Sequence, residues 1–239
     1  MTLPLLQVTT LHASDAEAAE AGGADRVELV GSMDDGGMSP EPAAVSSVVR
    51  ATDLPVRAML RLSEGYSTTG GELVRLMGLA ESYLAAGAKG VVLGFLGADL
   101  EIDTDIAGRL AATVDPAPWT FHRAIDSSLD LDRSWRRLLE LPGLDAVVTA
   151  GSALGVDRGL DELTRLAASD PRITERMVVG GGLKAEHVPW LLRAGVRAFH
   201  LGSGARRGGS WDRAYVDPSY VRSWRLLLDD AAEQAAASS

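Results

Sequence analysis

The segment Gly23-Ala24-Asp25-Arg26-Val27 has a form that recurs three more times along the chain, and this recurrence decides the fold. A glycine able to end a helix in the left-handed conformation is followed by an apolar residue and then by a short strand. The other copies begin at Gly87, Gly143 and Gly195, so successive copies are separated by about two of the ~30-residue units that contain one strand and one helix. Two units per interval predict about eight units in all.

Strand-like segments occur where eight such units require them. Helix starts such as Ser39-Pro40-Glu41 and helical apolar stripes lie between them. The strands are predicted near Leu5–Thr10, Arg26–Gly31, Val56–Leu62, Gly90–Leu96, Trp119–Ala124, Ala146–Gly151, Met177–Gly181 and Ala198–Gly202.

This alternation predicts a single (β/α)8 TIM barrel over residues 1–230, followed by a frayed tail over Ala231–Ser239. A doubly wound open sheet is the alternative. It usually carries a glycine-rich turn after the first strand, whereas this turn is Thr10-Leu11-His12-Ala13-Ser14.

Composition narrows the class of protein. The formal net charge of −10 disfavours nucleic acid and anionic membranes as partners. The chain has no cysteine, which excludes disulfides, thiolate metal sites and cysteine nucleophiles. Neither a signal peptide nor an apolar run of the ~20 residues that a membrane span needs is visible, so we expect a cytoplasmic protein.

The segment from Trp119 to Asp126 carries a histidine one step before a loop, on the same strand face as Thr120. The same alternation predicts polar side chains inside the barrel, near the C-terminal ends of six strands where barrel enzymes place their sites. These predicted interior residues are Gln7, Glu28, Arg61, His122, Thr149 and His200.

Proton transfer is the chemistry that this mixture favours. His122 or His200 is predicted as the general acid or base, with Glu28 as partner or base. Asp126 is added to the catalytic residues. Substrate-binding roles are predicted for Gln7, Thr149, Arg123 and Arg61, with Arg61 holding an anionic group. The structural alternative is a Glu28–Arg61 ion pair with the histidines as core donors.

Glycine-rich turns follow the seventh and eighth predicted strands, where barrels commonly bind phosphate through backbone N–H groups. Gly181, Gly202, Ser203 and Gly204 are therefore predicted to bind a small anionic or phosphorylated metabolite. Three further predictions concern other residues. His12 either joins the site or is exposed, His187 is a surface residue, and the tryptophans Trp190, Trp211 and Trp224 serve packing or an interface.

The sequence resembles the CutC family, which is linked to copper homeostasis. The resemblance covers nearly the whole chain, and Thr120-Phe121-His122-Arg123-Ala124-Ile125-Asp126 is its most specific part. It implies a TIM barrel, commonly a homodimer, with a polar cleft at the C-terminal face. Other matching stretches are Gly23–Leu29, Gly36-Gly37-Met38-Ser39-Pro40 and Val148-Thr149-Ala150-Gly151.

The chain also departs from that family. The cysteine positions of members with a copper-binding claim are Thr9, Thr10 and Val30 here, and Gln7 replaces a glutamate. Because Cu(I) prefers thiolate or thioether ligands, no metal site and no cofactor are predicted. Met33 and Met38 are the soft groups expected near the rim.

Three functions remain open from the sequence. The first is a cofactor-independent lyase or isomerase that acts on a small anionic metabolite. The second is a metal-handling protein, in which Glu28, Asp126 and a histidine would bind a hard divalent ion. The third is a barrel that binds a metabolite or a partner protein without catalysis.

Overall fold

The computed structural model describes residues 3–211 and 215–237. Eight parallel strands are hydrogen-bonded in chain order, and the first pairs with the eighth, which closes the barrel. The predicted TIM barrel is thereby confirmed. The strands are β1 (Leu5–Thr10), β2 (Arg26–Leu29), β3 (Val56–Met59), β4 (Gly90–Leu93), β5 (Trp119–Phe121), β6 (Leu144–Thr149), β7 (Met177–Val179) and β8 (Ala198–Leu201).

Helices surround the barrel, and several begin at side-chain caps that the sequence supplies. Thr69 and Glu72 form a reciprocal capping box, while Asp103 and Asp130 each accept a backbone N–H from the first turn. The α-helices are α1 (Ala13–Gly22), α2 (Pro42–Ala51), α3 (Gly70–Ala85), α4 (Thr104–Val114), α5 (Leu131–Leu139), α6 (Val156–Ser169), α7 (Pro171–Arg176), α8 (Val188–Arg193) and α9 (Pro218–Ala237).

The main apolar core lies between the strands and the helices. Its largest fully buried members include Trp119, Trp135, Tyr83, Phe121 and Phe199. Because the outward faces of the strands carry this apolar packing, the inward faces are free to carry polar groups. None of the helices within residues 3–211 and 215–237 combines the length and the apolar character that crossing a bilayer requires.

Two features of the sequence prediction need correction. The predicted frayed tail is helical as far as Ala237, because alanine has the highest helix propensity and Ala232 packs into the core. Residues 238–239 lie outside the described part of the chain. Most strands are also shorter at their C-terminal ends than predicted, so Arg61 lies two residues beyond β3 rather than within it.

An irregularity in β6 changes which of its side chains face inward. Trp119 pairs with Leu144 but Thr120 pairs with Ala146, so one residue of β6 is skipped in the register. Ala146 and Val148 then pack with Val178 in a small cluster separate from the main core. Val148 therefore points into the barrel, and Thr149 does not.

Candidate functional site

A cavity of about 510 Å³ opens at the C-terminal ends of the strands, and we call it the rim pocket. Among the residues predicted for the site, it is lined by Glu28, Arg61, His122, Arg123, Asp126, Gly181, His200, Gly202, Ser203 and Gly204. Gln7 and Thr149 lie behind this lining. Residues that sequence reasoning did not assign to the site also line it, including Thr9, Val30, Met59, Tyr66, Val148, Lys184 and Trp211.

His122 presents a buried hydrogen-bond donor. Its Nδ1 accepts the backbone N–H of Ala124 (3.1 Å), so the proton of the neutral ring is on Nε2. Nε2 is buried and has no hydrogen-bond partner within the described residues. Burial, and then the positive charges of Arg61 and Arg123, lower the pKa of His122 to about 3. His122 is therefore a neutral donor at physiological pH, which disfavours the predicted general acid or base role.

His200 is held by two hydrogen bonds inside the barrel. Its Nδ1 lies 2.7 Å from Gln7 Nε2, and its Nε2 lies 2.8 Å from Thr9 Oγ1. Burial, followed by the charges of Arg26 and Arg123, lowers the pKa of His200 to about 3. Since both ring nitrogens are engaged and the ring is neutral, the geometry disfavours the proton-transfer role predicted for His200. Gln7 contacts His200 and does not border the pocket.

Glu28 is the carboxyl group of the rim pocket that titrates near neutrality. Burial raises its pKa to about 7, although the nearby Arg26 and Arg57 and a hydrogen bond from Gln7 act in the opposite direction. Gln7 Nε2 donates to Oε2 (3.1 Å), and no partner for Oε1 is recorded within residues 3–211 and 215–237. Glu28 can therefore accept and release a proton under physiological conditions.

Two buried arginines below the pocket were missed by the sequence reasoning. Arg57 donates to Thr120 and to both oxygens of Asp145, and Arg26 donates to Gln7. Both belong to the inward-facing set, because Arg26 is the register partner of Gln7 and Arg57 that of Glu28. The strand alternation could have found them, had it been extended to the first residues of each strand.

Arg61 does not act as a free anion clamp. Its guanidinium donates to Asp35 and to the carbonyl of Gly65 (3.1 and 2.8 Å), and it lies over the ring of Tyr66 at 5.0 Å. These contacts join the loops after β2 and β3, and they leave its charge paired with Asp35. The alternative Glu28–Arg61 ion pair is not found among the described residues either. The predicted ion pair was wrong because Arg61 lies beyond the end of its strand, whereas its anion-binding role stays a prediction that the pairing with Asp35 disfavours.

Asp126 and Thr149 hold Arg123 at the edge of the pocket. Asp126 accepts the Thr149 hydroxyl (2.6 Å), the Ala150 N–H and Arg123 Nε (2.8 Å). With its oxygens engaged in this way, Asp126 supports Arg123 rather than having a free oxygen for chemistry. Thr149 was predicted to bind substrate from inside the barrel, but the irregularity in β6 turns it toward Asp126. Val148 lines the pocket in its place.

Arg123 and the glycine turns supply donors for an anion. Arg123 Nη1 has no partner within the described residues, and a Cβ on Gly181 would lie 2.7 Å from it. Gly181 also has a φ of +90°, which favours glycine. No acceptor is recorded in the described part of the chain for the backbone N–H groups of Gly181, Gly182, Ser203 and Gly204. The arrangement therefore combines one guanidinium N–H with several peptide N–H groups.

Trp211 is part of the pocket wall, although packing or an interface was predicted for it. Arg206 lies 4.7 Å from the Trp211 ring centroid and forms a buried ion pair with Asp15 (2.7 Å). Asp15 also accepts the N–H groups of Leu11 and Val216, so it joins the loops after β1 and β8. This ion pair supports the wall from behind, and sequence reasoning did not identify it.

Two other histidine predictions can be compared with the structure. His187 was predicted to be a surface residue but is buried; its Nδ1 accepts the Lys184 N–H and its Nε2 lies 3.0 Å from Asp157. The prediction was wrong because His187 ends a 3-10 turn before α8 rather than lying within a helix. His12 is exposed beside Tyr215 and is not part of the pocket lining.

Comparison with known proteins identifies the family. The model of the CutC family matches residues 5–205. A relative named as a family protein CutC, from Klebsiella pneumoniae (strain 342), is 32% identical over 203 residues, which cover 84% of this chain and 81% of the relative. The chain belongs to the CutC family.

Solved structures show the same fold as this CutC-family chain. A CutC protein from Streptococcus agalactiae, whose name links it to copper homeostasis, has a TM-score of 0.75 and 23% identity, covering 84% of this chain and 98% of its own. A Pseudomonas aeruginosa structure named as a dihydrodipicolinate synthetase has a TM-score of 0.62 and 13% identity, covering 99% of this chain and 80% of its own. At these identities the likeness shows the fold alone.

The residues of the rim pocket do not fit the copper that the family name implies. An imidazole binds a metal through an unprotonated nitrogen, but His122 accepts an N–H at Nδ1 and both nitrogens of His200 are hydrogen-bonded. Met33 and Met59 line the pocket, where they pack with Val30 and Val92. Thioethers without thiolate or imidazole partners form a poor Cu(I) site. Met38, the other predicted soft group, does not line the pocket.

A hard divalent ion fits no better. Within residues 3–211 and 215–237, three candidate ligand atoms come together only at Asp157, Glu186 and His187. The ammonium group of Lys184 already lies there, 2.6 Å from Asp157 and 4.0 Å from Glu186. The set considered from the sequence, Glu28 and Asp126 with a histidine, is not brought together in this way.

Proposed function

We propose that the chain binds a small anionic metabolite in the rim pocket and exchanges a proton with it through Glu28. The observation that carries this proposal is the buried Nε2–H of His122, a residue that lines the pocket; this donor has no acceptor within the described residues. A buried donor without a partner costs about 1–3 kcal/mol. A ligand oxygen that accepts from His122 offsets this cost.

Donors at the pocket edge support the anionic character of the ligand. Arg123 keeps Nη1 available while Asp126 fixes the rest of its guanidinium. The backbone N–H groups after β7 and β8 lie in the position where barrels commonly hold phosphate. Lys184 contributes less because its ammonium is paired with Asp157.

The proton half of the proposal assigns complementary roles to Glu28 and His122. Glu28, with a pKa of about 7, takes a proton from the carbon next to a ligand carbonyl group. The electron pair moves to the carbonyl oxygen, and the neutral His122 donates Nε2–H to this developing oxyanion. Where that carbon carries a hydroxyl group, the hydroxyl proton passes to the former carbonyl oxygen, and return of the proton from Glu28 to the former carbonyl carbon completes an isomerisation. No cofactor enters this scheme.

The first experiment uses calorimetry to measure the binding of inorganic phosphate, which serves as the anionic probe. Wild type is expected to bind it, and Arg123→Gln is expected to weaken binding by about tenfold or more through loss of a charged hydrogen bond. Lys184→Gln is the matched control, for which we expect less than about a threefold change because the lysine is exposed and already paired. Equal losses in both variants would argue against a specific anion site.

A second experiment tests proton exchange. Phosphorylated and carboxylated carbonyl compounds are incubated with the protein in D2O, and deuterium incorporation is followed by proton NMR. Wild type is expected to exchange at least one such compound, whereas Glu28→Gln is expected to bind phosphate without exchanging any. Binding without exchange in wild type would instead favour the non-catalytic metabolite-binding barrel.

A further inference from the structure

A chain of hydrogen bonds runs through the barrel interior from Arg26 to Thr9. Arg26 Nε donates to Gln7 Oε1 at 2.5 Å. Gln7 Nε2 lies 2.7 Å from His200 Nδ1, and His200 Nε2 lies 2.8 Å from Thr9 Oγ1. All four side chains are buried, so water does not compete for these hydrogen bonds.

The first donor fixes the direction of the whole chain. A guanidinium group only donates, so the atom of Gln7 that faces Arg26 is the amide oxygen. The amide nitrogen then gives one proton to Glu28 (3.1 Å) and the other to His200 Nδ1. A ring nitrogen that accepts carries no proton, so the neutral ring of His200 has its proton on Nε2 and donates it to Thr9.

Thr9 ends the chain at the pocket. Its hydroxyl oxygen already accepts from His200, so its own proton is left to be donated elsewhere. Thr9 lines the rim pocket, and no other hydrogen bond of Oγ1 is recorded among the described residues. A Cβ on Gly202 would lie 3.9 Å from Oγ1, so the hydroxyl is next to the turn that carries the N–H groups of Ser203 and Gly204.

We infer that His200 is a positioning residue that holds the Thr9 hydroxyl as a hydrogen-bond donor toward the rim pocket. The ligand atom received there is an oxygen that only accepts, as in a carboxylate or a phosphate group. This ligand class rests on the proposed function, whereas the direction of the hydrogen-bond chain does not. His200 takes no part in proton transfer, which is left to Glu28.

Nitrogen NMR of the histidine rings tests the direction without any ligand. Long-range proton–nitrogen spectra of the full chain, with His200 assigned from its loss in His200→Gln, are recorded from about pH 5 to about pH 8. We expect a neutral ring protonated on Nε2 throughout, because burial and the charges of Arg26 and Arg123 oppose a second proton, while Glu28 is linked to the ring only through Gln7. A ring protonated on Nδ1, or one that becomes doubly protonated in this range, would overturn the inference.

Three variants, one of Gln7 and two of Thr9, test the hydrogen bonds on either side of His200. When ionised, the carboxylate of Gln7→Glu has no proton to give, so the His200 proton is expected to move to Nδ1. Thr9→Val removes the acceptor of Nε2–H and is expected to shift its resonance, while Thr9→Ser leaves it near the wild-type position. A proton that stays on Nε2 in Gln7→Glu would contradict the assigned direction.

The ligand part is tested with inorganic phosphate and acetate as probes. Thr9→Val is expected to weaken binding of at least one of them by about tenfold, and Thr9→Ser by less than about threefold. Unchanged binding in Thr9→Val would overturn the role of the hydroxyl. If wild type binds neither probe, the proposed anion binding and the ligand class both fail, while the NMR result still decides the role of His200.

Discussion

The ring of His122 occupies the space that a side chain at Gly94 would need: a Cβ on Gly94 would lie 2.5 Å from the ring atoms Nδ1 and Cε1 of His122. Gly94 follows β4, and His122 follows the neighbouring strand β5. The ring cannot turn away without losing the N–H of Ala124 that it accepts. Glycine at position 94 is therefore needed to admit the imidazole, and it fixes the direction in which Nε2–H is presented.

Gly94→Ala is expected to lower the free energy of unfolding by about 1–3 kcal/mol, because the added methyl group overpacks the site. Urea denaturation measures this loss, and the nitrogen spectrum of His122 should change with it. Gly108→Ala in α4 is the control, since no atom lies within 4 Å of its Cβ position. This control should stabilise the chain by roughly 0.5–1 kcal/mol. Equal stability of Gly94→Ala and wild type would contradict the steric argument.

Glu28 should make the fold less stable as the pH rises. Its pKa is about 7 in the folded chain against an ordinary value of 4.5, so the folded state holds the proton more tightly. This contribution to stability is complete below about pH 4.5 and is lost as the pH rises to about 7. Glu28→Gln removes this pH dependence. The free energy of unfolding of the variant relative to wild type should therefore rise by on the order of 3 kcal/mol between pH 5 and pH 8.

Denaturant unfolding at pH 5, 6, 7 and 8 measures that gain. Glu17→Gln, a change at an exposed glutamate in α1, controls for the loss of one negative charge. A stability difference between Glu28→Gln and wild type that does not vary with pH would show that Glu28 titrates normally in the folded chain.

The buried ion pair between Asp15 and Arg206 should be important for stability. Asp15→Asn is expected to cost about 3–5 kcal/mol, since breaking a buried ion pair by removing one of its two charges is strongly destabilising. Asp132→Asn breaks the exposed pair with Arg165 and should cost less than about 1 kcal/mol. Thermal unfolding compares the two variants. The Trp211 fluorescence should change only in the first, because Arg206 lies against that ring.

Copper binding is expected to be weak in this family member. In a competition experiment with a coloured Cu(I) chelator, the purified protein should withdraw no metal at equimolar concentration, because no thiolate or free imidazole nitrogen is present in the rim pocket. The double variant Met33→Leu, Met59→Leu should behave as wild type does. Metal transfer that this double variant abolishes would show that the thioethers form a site after all.

The fold was predictable because it depends on repeated local signals. Helix-ending glycines such as Gly23 and Gly87 have positive φ values in the structure, as their place before each strand requires. Alternation along strands also predicted that Glu28, His122 and His200 point inward. The alternation failed at Thr149, because the irregularity between β5 and β6 depends on how two strands pair and leaves no mark in the sequence of either.

The sequence by itself determined a closed barrel with Glu28, His122 and His200 at one rim, since strand period and strand order fix both. Only the tertiary structure decided what those groups can do. Which ring nitrogen of His200 carries the proton depends on Gln7, 193 residues away. The pKa of Glu28 depends on its burial and on the nearby charges of Arg26 and Arg57. Hydrogen-bond partners and desolvation arise from packing between distant segments, so no local pattern encodes them.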